Sequence, residues 1–137
     1  MSIESARKFR AAARSAFVSA DRTATEMVAA DVLFDGWTTG AYALGDVRRY
    51  DGQLWRCCQA HDSTDNDSWY PGNVPALWVP YHTTEPRDAR PYLQPTGAHD
   101  AYMAGEVCSW EGAVYRCKAD ATVYDPTTLP GAWEAVE

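Results

Sequence analysis

The sequence predicts a mainly β protein with an α-helical N-terminal segment, its β part divided into two small modules in tandem. Three observations carry this. The stretch Gly45–Cys57 returns sixty residues later as Gly105–Cys117, and a fixed internal period sets architecture before any local pattern does. Each copy holds an acidic residue followed by glycine, Asp51-Gly52 and Glu111-Gly112, between strand-like runs, a short-range hairpin signal. Ser2–Ala30 contains neither Gly nor Pro and is rich in Ala, Arg, Glu and Met, which favour helix.

Along the N-terminal segment Ala6, Phe9, Ala13, Ala16 or Phe17, and Ala20 recur at steps of three and four, giving one narrow apolar stripe. Thr23-Ala24-Thr25-Glu26 has the spacing of a capping box. Two helices with a break around Ser19–Arg22 are expected, the second running to Ala30. An Ala-rich stripe suits close helix approach, so residues 1–34 read as an attachment or oligomerisation segment, giving a homo-oligomer such as a trimer. A helix simply resting on the first module is the competing reading.

Module 1 is assigned to 35–83, a linker to 84–91 and module 2 to 92–137. Across the repeat Tyr42 matches Tyr102, Val47 matches Val107, Tyr50 matches Trp110, Trp55 matches Tyr115, and Cys57 matches Cys117. Two hairpin turns are open. A two-residue type I′ turn sets Arg48 opposite Trp55. A type I turn with a bulge at Gly52 sets Val47 opposite Trp55 and gathers Val47, Trp55 and Cys57 on one buried face. The second is preferred, because it turns Arg48 and Arg56 outward. Carried to module 2, it buries Val107, Tyr115 and Cys117 and points Cys108 out. After each hairpin comes a polar loop and a closing tryptophan, Trp78 or Trp133, with the offset shortened to 55 (Trp69/Tyr124, Pro71/Pro126). Trp55, Trp78, Tyr115 and Trp133 are core candidates, since their repeat positions require bulk.

Composition narrows the function. A formal charge of −7 argues against nucleic acid, whose phosphates require a basic face, and against anionic membrane surfaces. No apolar run reaches the ~20 residues of a membrane helix, and no signal peptide is recognised before Ala20. Six Trp and eight Tyr stand beside three Phe; Trp and Tyr carry a polar handle and serve contact surfaces as well as cores. His61, His82 and His99 have no nucleophile partner in a recognisable motif, and no two carboxylates recur in a glycosidase context. An enzyme is not expected, nor a cofactor. The four cysteines read as small buried hydrophobes in a reducing compartment. Asp62, Asp65 and Asp67 lack the glycine and terminal glutamate of a calcium loop and read as solvated.

The pattern Trp37…Tyr42-x-x-Gly45-Asp46-x-x-x-Tyr50-x-Gly52-x-x-Trp55-x-Cys57…Pro71…Leu77-Trp78 resembles the chitin- and cellulose-binding modules of carbohydrate-binding module families five and twelve. Residues 37–81 carry it well and 92–133 as a more divergent copy. The resemblance implies three-stranded, twisted β modules holding polysaccharide on exposed aromatics. Enzyme-linked members commonly carry a tryptophan pair just after the second hairpin strand; here Gln59-Ala60 stands near those positions. The platforms that remain are Trp69, Tyr70 and Tyr81 in module 1 and Tyr124 in module 2. For Trp69 a structural role under Pro71 is the alternative. The whole layout, with the phrase Gln94–Tyr102 between modules, also resembles a class of tailed-phage virion proteins. That resemblance implies location in the virion, contact with other virion proteins, and contact with host cell-surface polysaccharide. The rival readings are a purely architectural head fibre or decoration protein, and an accessory polysaccharide-binding module of a secreted enzyme system.

Overall fold

The computed structural model of the chain describes residues 22–136; the first expected helix lies outside the described residues. The described part is mainly β with little helix. One helix, α1 (Ala24–Ala29), precedes strands β1 (Ala41–Tyr42), β2 (Val47–Tyr50), β3 (Gln53–Cys57), β4 (His61–Asp62), β5 (Trp78–Pro80), β6 (Val107–Trp110), β7 (Ala113–Cys117) and β8 (Trp133–Val136). They form three small antiparallel sheets: β1-β4, β2-β3-β5 and β6-β7-β8.

The capping box read from Thr23 and Glu26 starts α1. The Thr23 hydroxyl accepts the Glu26 N–H at 3.1 Å, and the Glu26 carboxylate accepts the Thr23 N–H at 3.1 Å, satisfying two amides that a helix start leaves without partners. The backbone donor from Thr23 holds the Glu26 carboxyl below its ordinary value. A short 3-10 turn, Asp31–Leu33, then delivers Phe34.

The hairpin register corrects the preferred reading. Arg48 pairs with Trp55, and Val47 with Arg56. Asp51 and Gly52 both have positive φ, 51° and 74°, the signature of the two-residue type I′ turn, whose twist matches the right-handed twist of its strands. Glu111 (φ 49°) and Gly112 (φ 82°) repeat it, with Cys108 opposite Tyr115. The bulged turn follows from the premise that only one face of the hairpin is buried. Both are. One face sends Trp55 and Cys57 into a cluster with Tyr42, Leu77 and Trp78. The other sends Val47 and Leu54 against Met27 and Phe34, so the segment after α1 covers a face that would otherwise meet water. Arg48 lies on the Trp55 face, its guanidinium 5.1 Å from the Tyr42 ring centre; Arg56 is exposed.

The same correction moves Cys108. It is fully buried, on the face of Cys117, in a cluster with Tyr102, Ala132 and Trp133. Val107 is buried on the opposite face, and Tyr115 is half-buried against the cluster. All four cysteines are free. Burial pushes the Cys108 thiol up to about 12.

The two three-stranded sheets share their main-chain bonds as well as their order. Gly45 N–H donates to Cys57 O at 2.8 Å, and Gly105 N–H to Cys117 O at 2.9 Å. Outside each hairpin a short strip runs parallel to its first strand: Trp37 N–H donates to Arg49 O, and Tyr92 N–H to Ser109 O. The strips are 55 residues apart while the hairpins are 60 apart. The second copy therefore carries five additional residues between Tyr92 and Tyr102, and the loop after β7 is shorter by the same number. The copies also interlock. Leu93 packs on the first cluster, and His82 stacks on Tyr102 with ring centres 3.9 Å apart.

Two outcomes test this core. Phe34→Ala is expected to cost about 3–5 kcal/mol, read by urea unfolding, because it uncovers Val47 and Leu54. At pH 8 iodoacetamide is expected to label half-buried Cys58 well before Cys57, Cys108 or Cys117, by mass spectrometry of native protein. The fold holds the Cys108 proton, so its contribution to stability is complete below the thiol's ordinary 9.0 and is lost as pH climbs toward about 12.

Candidate functional site

The type I′ register sets Tyr50 on the Trp55 face, at the end of β2, where its carbonyl accepts the Trp55 indole N–H at 3.1 Å. The parallel strip brings Trp37 beside it: Trp37 N–H donates to Arg49 O at 2.8 Å, and Arg49 N–H to Asp35 O at 2.9 Å. Trp37 meets Tyr50 edge-on, ring centres 5.9 Å apart.

The third ring comes from the loop after β4. Ser63, fully buried, anchors it: its N–H donates to Gly40 O at 2.8 Å, and its hydroxyl accepts the Gly40 N–H at 3.1 Å. Successive turns follow, with Asn66 N–H donating to Ser63 O, Trp69 N–H to Asn66 O, and the Asn73 amide to Ser68 O at 2.6 Å. Gly72 reverses the chain at φ 97°, beside the Trp55 ring edge. This places Tyr70 in a stack on Tyr50, ring centres 5.3 Å apart at 27°, and 6.5 Å from Trp37. Trp37, Tyr50 and Tyr70 are each half-buried, and Trp37 and Tyr50 pack on the first cluster. Such a patch suits the C–H face of a pyranose, since flat rings offer contact area at little conformational cost.

The four platforms named from the sequence are not brought together. Trp69 and Tyr70 are neighbours in sequence but diverge, Trp69 packing on the first cluster and meeting His61 edge-on at 6.4 Å. Tyr81 lies against the Met27–Phe34 cluster on the opposite face of the sheet, where burial pushes its hydroxyl up. Tyr124 is 53% exposed on the second repeat. Trp37 and Tyr50 stand in the sequence pattern but are not among the platforms it suggests. The available signal was the alternation of β2, which in the type I′ register puts Tyr50 on the aromatic face.

In the second repeat Tyr92 and Trp110 hold the places of Trp37 and Tyr50, edge-on with ring centres 5.4 Å apart. At the place of Tyr70 stands Asp125, which accepts the Thr128 N–H at 2.7 Å; that backbone bond holds its carboxyl below the ordinary range. Trp110 donates its indole N–H to Thr127 Oγ1 at 2.9 Å. Among the described residues no three His, Cys, Asp or Glu side chains group as metal ligands.

Residues 36–79 match carbohydrate-binding module family 5/12. The matched stretch contains Trp37, Tyr50, Trp69 and Tyr70; Tyr81, Tyr92 and Trp110 fall outside it. A 43-residue stretch, 31% of this chain, is 49% identical to streptogrisin-C of Streptomyces griseus, and the chain covers 9% of that protein's length.

Within the module Gly72→Ala is expected to cost ~1–3 kcal/mol through backbone strain. The new Cβ would stand 3.5 Å from Trp55, an ordinary contact, so the left-handed φ decides the effect. Thermal melts of the two proteins measure it.

Proposed function

We propose that the protein holds polysaccharide on Trp37, Tyr50 and Tyr70, and that residues 92–137 are a second, divergent module of the same kind. The observation that carries this reading is the stacked, half-open ring group inside the stretch matching a carbohydrate-binding family. The charge of −7 favours neutral glycans over polyanions. The protein is non-enzymatic and works as a structural or accessory component of a tailed-phage virion, presenting its modules to host-surface glycans. The N-terminal segment attaches it to other virion proteins or assembles it into a homo-oligomer such as a trimer. Single sites of this size are weak, and repetition in an assembly raises their joint affinity.

One observation favours a second reading. The match covers a small part of a much longer protein, as an accessory module of a secreted polysaccharide-degrading system would.

Pull-down on chitin, cellulose and bacterial cell walls is the test. Retention on at least one is expected, weakened about tenfold, or ~1.4 kcal/mol, by Trp37→Ala or Tyr70→Ala. No retention on any of them favours a purely architectural role instead. Retention unchanged in both variants removes the aromatic patch as the site.

A further inference from the structure

We propose that the cleft between the two three-stranded sheets is a separate saccharide site, taking one neutral hexopyranose unit with Tyr81 as its platform. The inference rests on the reading that the protein binds glycans, and it uses neither the Trp37–Tyr50–Tyr70 patch nor any residue lining it.

The cleft has a volume of about 290 Å³, and its lining includes Arg56, Tyr81, His82, His99, Asp100 and Glu106. The first three come from the β2-β3-β5 sheet and its continuation; the last three come from the second repeat. Its volume lies at the small end of ligand sites, the scale of one sugar ring rather than a polymer segment. Tyr81 supplies the flat wall. Its ring is half-buried against the Met27–Phe34 cluster, and its N–H donates to Leu54 O at 2.9 Å, so ring and backbone are both fixed.

Around that wall stand donors and acceptors in mixed order. Asp100 is a rigid acceptor: its carboxylate takes the Thr96 N–H at 2.9 Å, the Gly97 N–H at 3.0 Å and the Thr96 hydroxyl at 2.9 Å. Glu106 accepts the Met103 N–H at 2.6 Å and lies 3.3 Å from His82 Nδ1. These bonds hold both carboxylates in place; with the Thr96 N–H also reaching its second oxygen at 3.0 Å, Asp100 is filled and orders the wall, while Glu106 Oε2 keeps its lone pairs for a ligand. The Arg56 side chain is exposed and makes no hydrogen bond or ion pair to another described residue, so its guanidinium donors are available. His99 has half of its side chain open to solvent. His82 is 8% exposed, and its Nε2 is buried without a partner.

Mixed donors and acceptors beside a tyrosine ring select the ligand class. A sugar hydroxyl both donates and accepts, so a vicinal pair can satisfy Arg56 and a carboxylate together. An acidic ligand would meet two carboxylates, and a metal ion would meet a guanidinium. The site depends on the additional residues of the second repeat, because Ala98, His99 and Asp100 all line it.

The test is NMR titration of the full chain, with signals of Tyr81, Arg56 and His99 resolved, by the methyl glycosides of glucose, galactose, mannose and N-acetylglucosamine in turn. At least one is expected to move all three signals saturably. Arg56→Ser is expected to weaken that binding about tenfold; the Arg56 side chain is exposed and unbonded, so the variant keeps its fold, which its dispersed spectrum verifies. No saturable shift at the cleft with any of the four overturns the proposal, as does a shift that survives both Arg56→Ser and Tyr81→Ala. Signals of Trp37 and Tyr70 report the other patch in the same spectra. Their movement with a silent cleft sinks this proposal alone; their silence together with failed pull-down sinks the glycan reading itself.

Discussion

A hairpin of four- and five-residue strands has little surface to bury, and the first repeat stands because β2 and β3 bury both of their faces. The type I′ turn makes this possible by setting Val47 and Leu54 on one side and Trp55 and Cys57 on the other. Either side alone would be a thin core for so short a sheet. The cover for the second side comes from Met27 and Phe34, which ties the helix-bearing segment to the module rather than leaving it to its own propensity. Tyr50 and Trp37 reach their places only through the same register.

Repetition with compensated length shapes the rest. The second copy keeps every main-chain bond that closes its hairpin yet adds five residues before β6 and drops five after β7. Loop length costs little, so the two copies diverge in their loops while sheet geometry is held. In the first copy the long loop delivers Tyr70 to the ring group. In the second the short loop delivers Asp125, and the additional segment before β6 folds back onto the first repeat.

Much of the fold was legible. The capping box of Thr23 and Glu26, the paired hairpins, and the closing tryptophans Trp78 and Trp133 all follow from local chemistry. The register was not, because it depends on a distant fact: whether anything covers the face of Val47. Periodicity in a four-residue strand cannot say which of two faces is buried when both are. The bulged register would turn Cys108 outward and take Tyr50 off the Trp55 face. The ring group was half legible, Tyr70 by its loop and Trp37 not at all, since a parallel strip of three residues leaves no pattern of its own.

Leu93 seated in the first cluster and His82 stacked on Tyr102 make each repeat carry part of its neighbour's interior. The smallest unit able to melt on its own is then the pair. Heat or denaturant should meet one cooperative transition where two beads on a string would give two. A chain cut in the stretch joining the repeats would leave two incomplete halves, each with exposed aromatic surface and a tendency to aggregate. The matched stretch ends at residue 79, before both of these residues, so in this protein the family match marks where a likeness stops and not where a folding unit does.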